Sequence, residues 1–272
     1  MSTPTIDREL ESKHRALWAL GDYPAIADEL VAPLGPELVA AAGVRPGDRV
    51  LDVAAGTGNA AFAAASAGAE VTASDLCPEL LDYGRAAAAA RGIGMTFREA
   101  NAEALPFGAG EFDVVLSCIG VMFAPHHQQS ADELIRVCRP GGTIAVLSWT
   151  PTGFIGQMFA TMKPHVPAPP AGVQPPPLWG DEGHVRALFG DRVSDVHTRR
   201  ATLAVDQFGD GTAFRDYFKT HYGPTISAYR AIAGQPETVA ALDAELAALG
   251  DDALAGSPTM QWEYLIVTAR RR

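Results

Sequence analysis

Between Arg49 and Trp149 short apolar runs alternate with longer stretches whose apolar positions recur at helical spacing. "RVLDVA" predicts a buried strand, and "EVTAS", "GMTFRE", "FDVVLSC" and "TIAVLSW" predict further strands. The intervening segments predict helices: Asn59 to Ala67, stopped by Gly68; Pro78 to Arg91, stopped by Gly92; and Ser130 to Arg139, stopped by Pro140-Gly141-Gly142. Strand and helix in strict alternation, with short connections, imply a parallel, doubly wound α/β sheet.

The flanks read differently. Leu10, His14, Leu17 and Trp18 fall at helical spacing, and Pro24 to Leu30 predicts a second helix with proline in its first turn. After Trp149 the alternation fails. Residues 163–177, "KPHVPAPPAGVQPPP", hold seven prolines in fifteen positions, too few amide donors for a central strand or helix. Beyond them come a helix at Asp181 to Phe189 with Asp181 as N-cap, a strand at "VSDVHTRRATLAV", helices over Phe214 to Ala233 and Pro236 to Leu249, and a closing strand "MQWEYLIVTA". The expected organisation is a helical arm over 1–44, a core over 45–150, and a lid and substrate insert over 151–258 that lends the core one strand near 193–205. A final strand and basic tail over 259–272 complete it.

Composition narrows the function. The 272 residues carry a formal net charge of -11, and 47% are hydrophobic. That balance supplies a large core and opposes nucleic acid or an anionic membrane as partner. Three well-separated cysteines, Cys77, Cys118 and Cys138, suggest neither a disulfide framework nor a zinc site. No apolar run reaches the ~18 residues of a membrane span, and the first residues do not read as a signal peptide, so a cytoplasmic protein is expected.

The chemistry starts at "VLDVAAGTGNAA", residues 50–61. Gly56-Thr57-Gly58-Asn59-Ala60-Ala61 satisfies G-x-G-x-x-G/A between a strand and a helix. Asp75 ends the second strand, placed to accept hydrogen bonds from both hydroxyls of a ribose. An adenosine-containing cofactor follows, either a dinucleotide or S-adenosylmethionine (SAM). Asp52 discriminates. Beside a pyrophosphate, at ~4 Å and an effective dielectric of ~20, its carboxylate would cost about 4 kcal/mol. Beside the sulfonium and α-ammonium of SAM the same charge is favourable.

"VLDVAAGTGNAAFAAA", "VTASDL", "NAEALPF", "FDVVLSCIGVMF" and "ELIRVCRPGGTIAVLSW" occur in that order. Together they resemble the class I SAM-dependent methyltransferases, in the small-molecule group that includes the ubiquinone/menaquinone methyltransferases. The resemblance implies a Rossmann-like seven-stranded sheet, SAM as methyl donor and S-adenosylhomocysteine as product. It implies that Asp52, Ala54, Gly56 and Gly58 surround the methionine portion and that Asp75 binds the ribose. Leu76 packs on the adenine, and Asn101 and Ala102 meet its edge. Ser117 and Cys118 border the sulfonium, while Trp18 and Tyr23 close over the cofactor. Where this chain has Asn101 the family usually has aspartate, so the contact lacks charge assistance.

Methyl transfer is an in-line displacement governed by positioning, and a base is required only for a protonated acceptor. His126, His127 and His221 are the candidates. The aromatic stripe Phe214, Tyr217, Phe218 and Tyr222 would suit a flat acceptor in O- or C-methylation, aromatic, quinol or polyketide-like. The Pro-rich insert and the N-terminal helices are expected to form a lid over it. An NAD(P)-dependent oxidoreductase and a non-catalytic cofactor-fold interaction subunit are the competing classes. No metal cluster is suggested, and oligomeric state is not encoded legibly.

Overall fold

The computed structural model describes residues 8–272. Three helices come first: α1 (Arg8–Trp18), α2 (Tyr23–Glu29) and α3 (Leu34–Ala42). The alternating region follows as β1 (Arg49–Val53), α4 (Asn59–Ser66), β2 (Glu70–Asp75), α5 (Pro78–Arg91), β3 (Thr96–Glu99), β4 (Phe112–Cys118), α6 (His127–Val137) and β5 (Cys138–Trp149). The rest is α7 (Phe154–Met162), α8 (Glu182–Phe189), β6 (Val193–Val205), α9 (Gly211–His221), α10 (Gly223–Ile232), α11 (Pro236–Leu254) and β7 (Met260–Arg271).

The strands form one seven-stranded sheet in the order β3-β2-β1-β4-β5-β7-β6. β1 pairs in parallel with β2 and β4, and the order reverses between β1 and β4. At such a switch point the carboxyl ends of the strands splay around a crevice, where α/β sheets hold ligands. The sheet departs from the all-parallel expectation at one strand: β7 runs antiparallel to both β5 and β6. The central strands β1 and β4 are largely buried, as parallel strands covered by helices should be.

Several predicted boundaries move. α6 starts at His127, and β5 runs from Cys138 through Pro140 to Gly142, the residues read as a helix stop. Gly110 and Gly141 carry positive φ where these two edges turn. The helix predicted over Phe214 to Ala233 is two helices, broken at Tyr222, which is extended. That break is fixed by close approach: a Cβ on Gly223 would stand 2.5 Å from the Leu17 carbonyl oxygen. The N-terminal arm is thereby seated on the α9–α10 junction, with Asp22 N–H donating to the His221 carbonyl. α1 itself buries no residue, and Glu11 bonds Asn101 while Arg15 bonds Glu99.

Among the described residues no helix is long and apolar enough to cross a membrane.

Candidate active site

A cavity of about 1540 Å³, its open mouth included, lies over the carboxyl ends of the strands at the switch point. It has two chemically distinct ends. One is built from the loops after β1, β2 and β3. The other is aromatic and comes from β5, β7 and the α9–α10 junction.

The loop after β1 follows from its sequence. Ala54 takes φ 53°, Gly56 φ 57° and Gly58 φ 100°, so the chain turns sharply off the strand and enters α4. Ala54 adopts that left-handed conformation without being glycine, and Gly120 presses on it. A Cβ at Gly120 would lie 2.1 Å from the Ala54 carbonyl oxygen. Strain of order 1 kcal/mol is held there by surrounding packing. Asp75, at the end of β2, accepts from Gly56 N–H at 2.7 Å and from Cys77 N–H at 2.8 Å. Burial raises its pKa, and these amides pull against that rise. Each oxygen accepts one of these bonds and so keeps further acceptor capacity, and Asp75 is part of the cavity lining.

Asp52 is different. It is 1% exposed, lies behind the lining rather than in it, and neither carboxylate oxygen has a hydrogen-bond partner. Burial pushes its pKa up to about 7; the Ala61 amide of α4, which falls short of a hydrogen bond, opposes this weakly, and Asp75 adds to it. A buried polar group without partners is costly. The cost is met if a cation is the ligand bound above it, so the residues present fit SAM.

Of the sequence-predicted cofactor residues, Trp18, Tyr23, Ala54, Gly56, Asp75, Leu76, Asn101, Ala102 and Cys118 line the cavity. Asp52, Gly58 and Ser117 do not. Gly58 precedes α4 and serves the turn. Ser117 is a strut: its hydroxyl donates to the Val53 carbonyl at 2.7 Å and accepts from Val121 N–H at 2.8 Å, tying β1 to the loop after β4. Asn101 is partly committed. Its amide oxygen accepts from Glu103 N–H and its nitrogen donates to Glu11 on α1. Trp18 and Tyr23 form the roof, Trp18 standing edge-on to Phe123 with ring centroids 4.6 Å apart.

The histidines separate cleanly. His126 lines the cavity with Nδ1 3.2 Å from both Glu103 oxygens. His127 is fully buried outside it, Nδ1 2.9 Å from His184 Nε2, and burial lowers its pKa to about 4. His221 stacks on Tyr217 and bonds Thr220, away from the cavity. The aromatic stripe also splits. Phe218 and Tyr222 reach the cavity. Phe214 is core, packed on Phe154 and Phe208, and the Tyr217 hydroxyl donates to Glu29 on the far side. Helical spacing put all four on one element, but two faces of that element meet different neighbours.

The expected lid divides as well: Ile155, Phe218 and Tyr222 of the insert line the cavity, and its proline-rich part does not. None of residues 163–177 lines the cavity. That segment crosses behind His126: Gln174 N–H donates to the Pro125 carbonyl, and Gln174 Oε1 accepts from His127 N–H. The roof belongs to α1 and α2.

The residues that sequence reasoning missed are long-range. Trp149 from β5, Ile155 from α7 and Trp262 from β7 close the aromatic end. Trp262 stacks on Phe154 with an interplanar angle of 7° and stands edge-on to Trp149. Both tryptophans sat in segments read only as strand, and the available signal was their wide aromatic side chains at strand ends. Glu11 and His14 on α1 join the wall from the arm. No lysine or arginine does so among the described residues, and those residues hold no group of three or more potential metal ligands.

Residues 50–142 match the family model described as a methyltransferase domain. An uncharacterized protein of Mycobacterium tuberculosis (strain H37Rv) is 60% identical over 270 residues, which is 99% of this chain and 98% of that protein. The demethylmenaquinone methyltransferase of Thermus thermophilus is 41% identical over 105 residues, which is 38% of this chain and 48% of that protein. Among solved structures, the YcgJ protein of Bacillus subtilis superposes with a TM-score of 0.60 at 16% identity, covering 88% of this chain and 98% of that one. Strand order, matched domain and relatives agree, and the chain belongs to the class I SAM-dependent methyltransferases.

Proposed function

We propose that this protein transfers a methyl group from SAM to a small, uncharged, flat acceptor by O- or C-methylation. One observation carries the reading: the cavity wall holds Glu11, Asp75 and Glu103 but no lysine or arginine. Among the described residues of this wall a phosphorylated acceptor finds no lysine or arginine to pair with its charge. A sulfonium with an α-ammonium suits it. The net charge of -11 likewise favours a small molecule over nucleic acid.

In this reading Asp75 accepts from the ribose hydroxyls through the lone pairs its two backbone partners leave free. Leu76 and Ala102 take the faces and edge of the adenine, with Asn101 beside them. Ala54, Gly56 and Cys118 surround the methionine portion, and Asp52 supplies negative charge from behind. SAM, when bound, supplies the electrophilic methyl. The chain aligns the acceptor, keeps water out through Trp18 and Tyr23, and orients it on Phe218, Tyr222, Trp149 and Trp262. Alignment of this kind lowers barriers by roughly 7 kcal/mol or more. Of the three candidates His126, His127 and His221 only His126 stands in the wall, so among them it is the one assigned to take a proton from a protonated acceptor, with Glu103 beside its ring. The protein is proposed to act in the cytoplasm.

Calorimetric titration with S-adenosylhomocysteine and separately with NADH tests this. Saturable binding of the former alone is expected. Binding of NADH alone would overturn the reading in favour of an oxidoreductase, and binding of neither would favour a non-catalytic role.

A further inference from the structure

The two ends of the cavity offer opposite halves of a hydrogen bond. The polar end carries carboxylates: Asp75, Glu103 and, from α1, Glu11. Among the described residues the aromatic end carries none. The polar side-chain groups of Trp149, Tyr222 and Trp262 are two indole N–H donors and one phenol hydroxyl. Two of these donors have nothing to bond. Trp262 is 1% exposed, and its Nε1 is enclosed without a hydrogen-bond partner. Tyr222 is 8% exposed, and no hydrogen bond acts on its hydroxyl: burial, with Tyr23 beside it, pushes the group upward and keeps it protonated. A buried donor left without an acceptor is costly.

The fold holds the Tyr222 ring in place. Its backbone is extended between α9 and α10, and the next residue, Gly223, has no room for a Cβ against Leu17 and the Tyr23 hydroxyl. Tyr23, Phe159 and Phe218 stand edge-on around the ring, with centroids 6.2, 6.3 and 5.5 Å away. Tyr23 is not equivalent, because its hydroxyl accepts from Gly223 N–H at 3.1 Å. Unlike the Trp262 nitrogen, the Tyr222 hydroxyl is not sealed off, and the cavity is the space that Tyr222 lines.

We propose that the Tyr222 hydroxyl donates a hydrogen bond to a carbonyl oxygen of the methyl acceptor, so that the protein selects ketone-bearing flat molecules over plain hydrocarbon rings. The inference rests on the proposed function, which places the acceptor at the aromatic end. An end with free donors and no carboxylate fits a ligand that brings oxygen lone pairs and no protons of its own. A carbonyl meets that description. A carboxylate would need a cation, and the wall has no lysine or arginine among the described residues. A hydroxyl would bring a proton that this end has little to accept. The ribose hydroxyls and ammonium of SAM are donors and match the opposite, carboxylate end. A site built around a hydrogen bond discriminates against the analogue that cannot make it, here by about tenfold.

The test takes the whole protein saturated with S-adenosylhomocysteine and two probes, α-tetralone and tetralin, the same fused bicycle with and without a conjugated carbonyl. Binding is followed by tryptophan fluorescence, since Trp149 and Trp262 stand in the wall. Wild type should bind α-tetralone about tenfold more tightly than tetralin. Tyr222→Phe keeps the ring and should bring that ratio to about one, with the tetralin Kd within about twofold of wild type. The hydroxyl bonds nothing in the folded chain, so the variant should keep its melting temperature. A variant that loses stability would show the hydroxyl to be structural and would overturn the inference. Equal binding of the two probes by wild type, or a preference that survives in Tyr222→Phe, would overturn it while leaving methyltransferase function intact. Binding of neither probe by a protein that still binds S-adenosylhomocysteine would remove the acceptor from the aromatic end and the inference with it. Failure to bind S-adenosylhomocysteine would sink the proposed function itself.

Discussion

At one end of the cavity, most of the wall comes from residues 54–103, a single stretch of alternating strand and helix, to which α1 adds Glu11 and His14. At the other, Trp149, Ile155, Phe218, Tyr222 and Trp262 are drawn from four elements and the α9–α10 junction, spread over more than a hundred residues. The first end is polar, acidic and rich in backbone amides. The second is aromatic, and its titratable member Tyr222 is pushed up by burial, hence neutral. A donor site of fixed chemistry is held by local loops that a motif can encode. The acceptor site is assembled by packing, where substitutions change shape without disturbing the loops.

The sharpest way to separate the ends is to damage the aromatic one. Phe218→Ala removes a buried ring that touches Phe208, Phe214, Tyr222 and Trp262, and should cost about 3–5 kcal/mol in chemical denaturation. In the protein that remains folded, acceptor KM should rise while S-adenosylhomocysteine affinity stays within about twofold. Equal loss of both would erase the distinction. Asp75→Ala attacks the other end. It strips charge-assisted acceptors from Gly56 and Cys77 and from the proposed ribose, and should weaken S-adenosylhomocysteine binding about 100-fold by calorimetry.

Stability against pH probes the donor end without any ligand. In the unfolded chain Asp52 titrates near its ordinary 3.8, and in the folded protein near 7. Between those values the folded state holds a proton that the unfolded state has lost. This contribution is full below about pH 4 and disappears as pH rises through 7. Wild type should therefore lose melting temperature relative to Asp52→Asn between pH 5 and 8, and parallel curves would contradict the assignment.

Trp18→Ala tests what the ends share. Its edge contact with Phe123 holds the arm over the cavity, so both S-adenosylhomocysteine Kd and acceptor KM should rise by up to about tenfold. The smallest effect is expected from replacing residues 167–171 with glycine and serine. Since none of them reaches the cavity, Kd and KM should both stay within about twofold.

How much could be read in advance follows from this division. The glycine loop, Asp75 and the strands 49–118 were legible because parallel strands buried on both faces leave unbroken apolar runs, and because Gly56 and Gly58 mark a turn few residues can make. The antiparallel β7 was not, since "MQWEYLIVTA" carries no sign of direction. The extent of β5 was obscured by Pro140-Gly141-Gly142, which fall in the register shift between the Phe112–Cys138 and Val114–Thr143 pairings. His126 and His127 are neighbours in sequence, yet the start of α6 sends one to the cavity and the other into the core. Ser117 had the right place in its motif, but its hydroxyl is spent on Val53 and Val121. The aromatic wall needed the tertiary fold, because only β5–β7 pairing brings Trp149 and Trp262 together.

A crystal structure of the protein with S-adenosylhomocysteine tests the division most directly. Density is expected along Ala54 to Gly56, against Asp75, Leu76 and Ala102, with the space between Trp149, Phe218 and Trp262 left free for an acceptor. Density for the nucleoside among those aromatic rings, with Asp75 untouched, would contradict it.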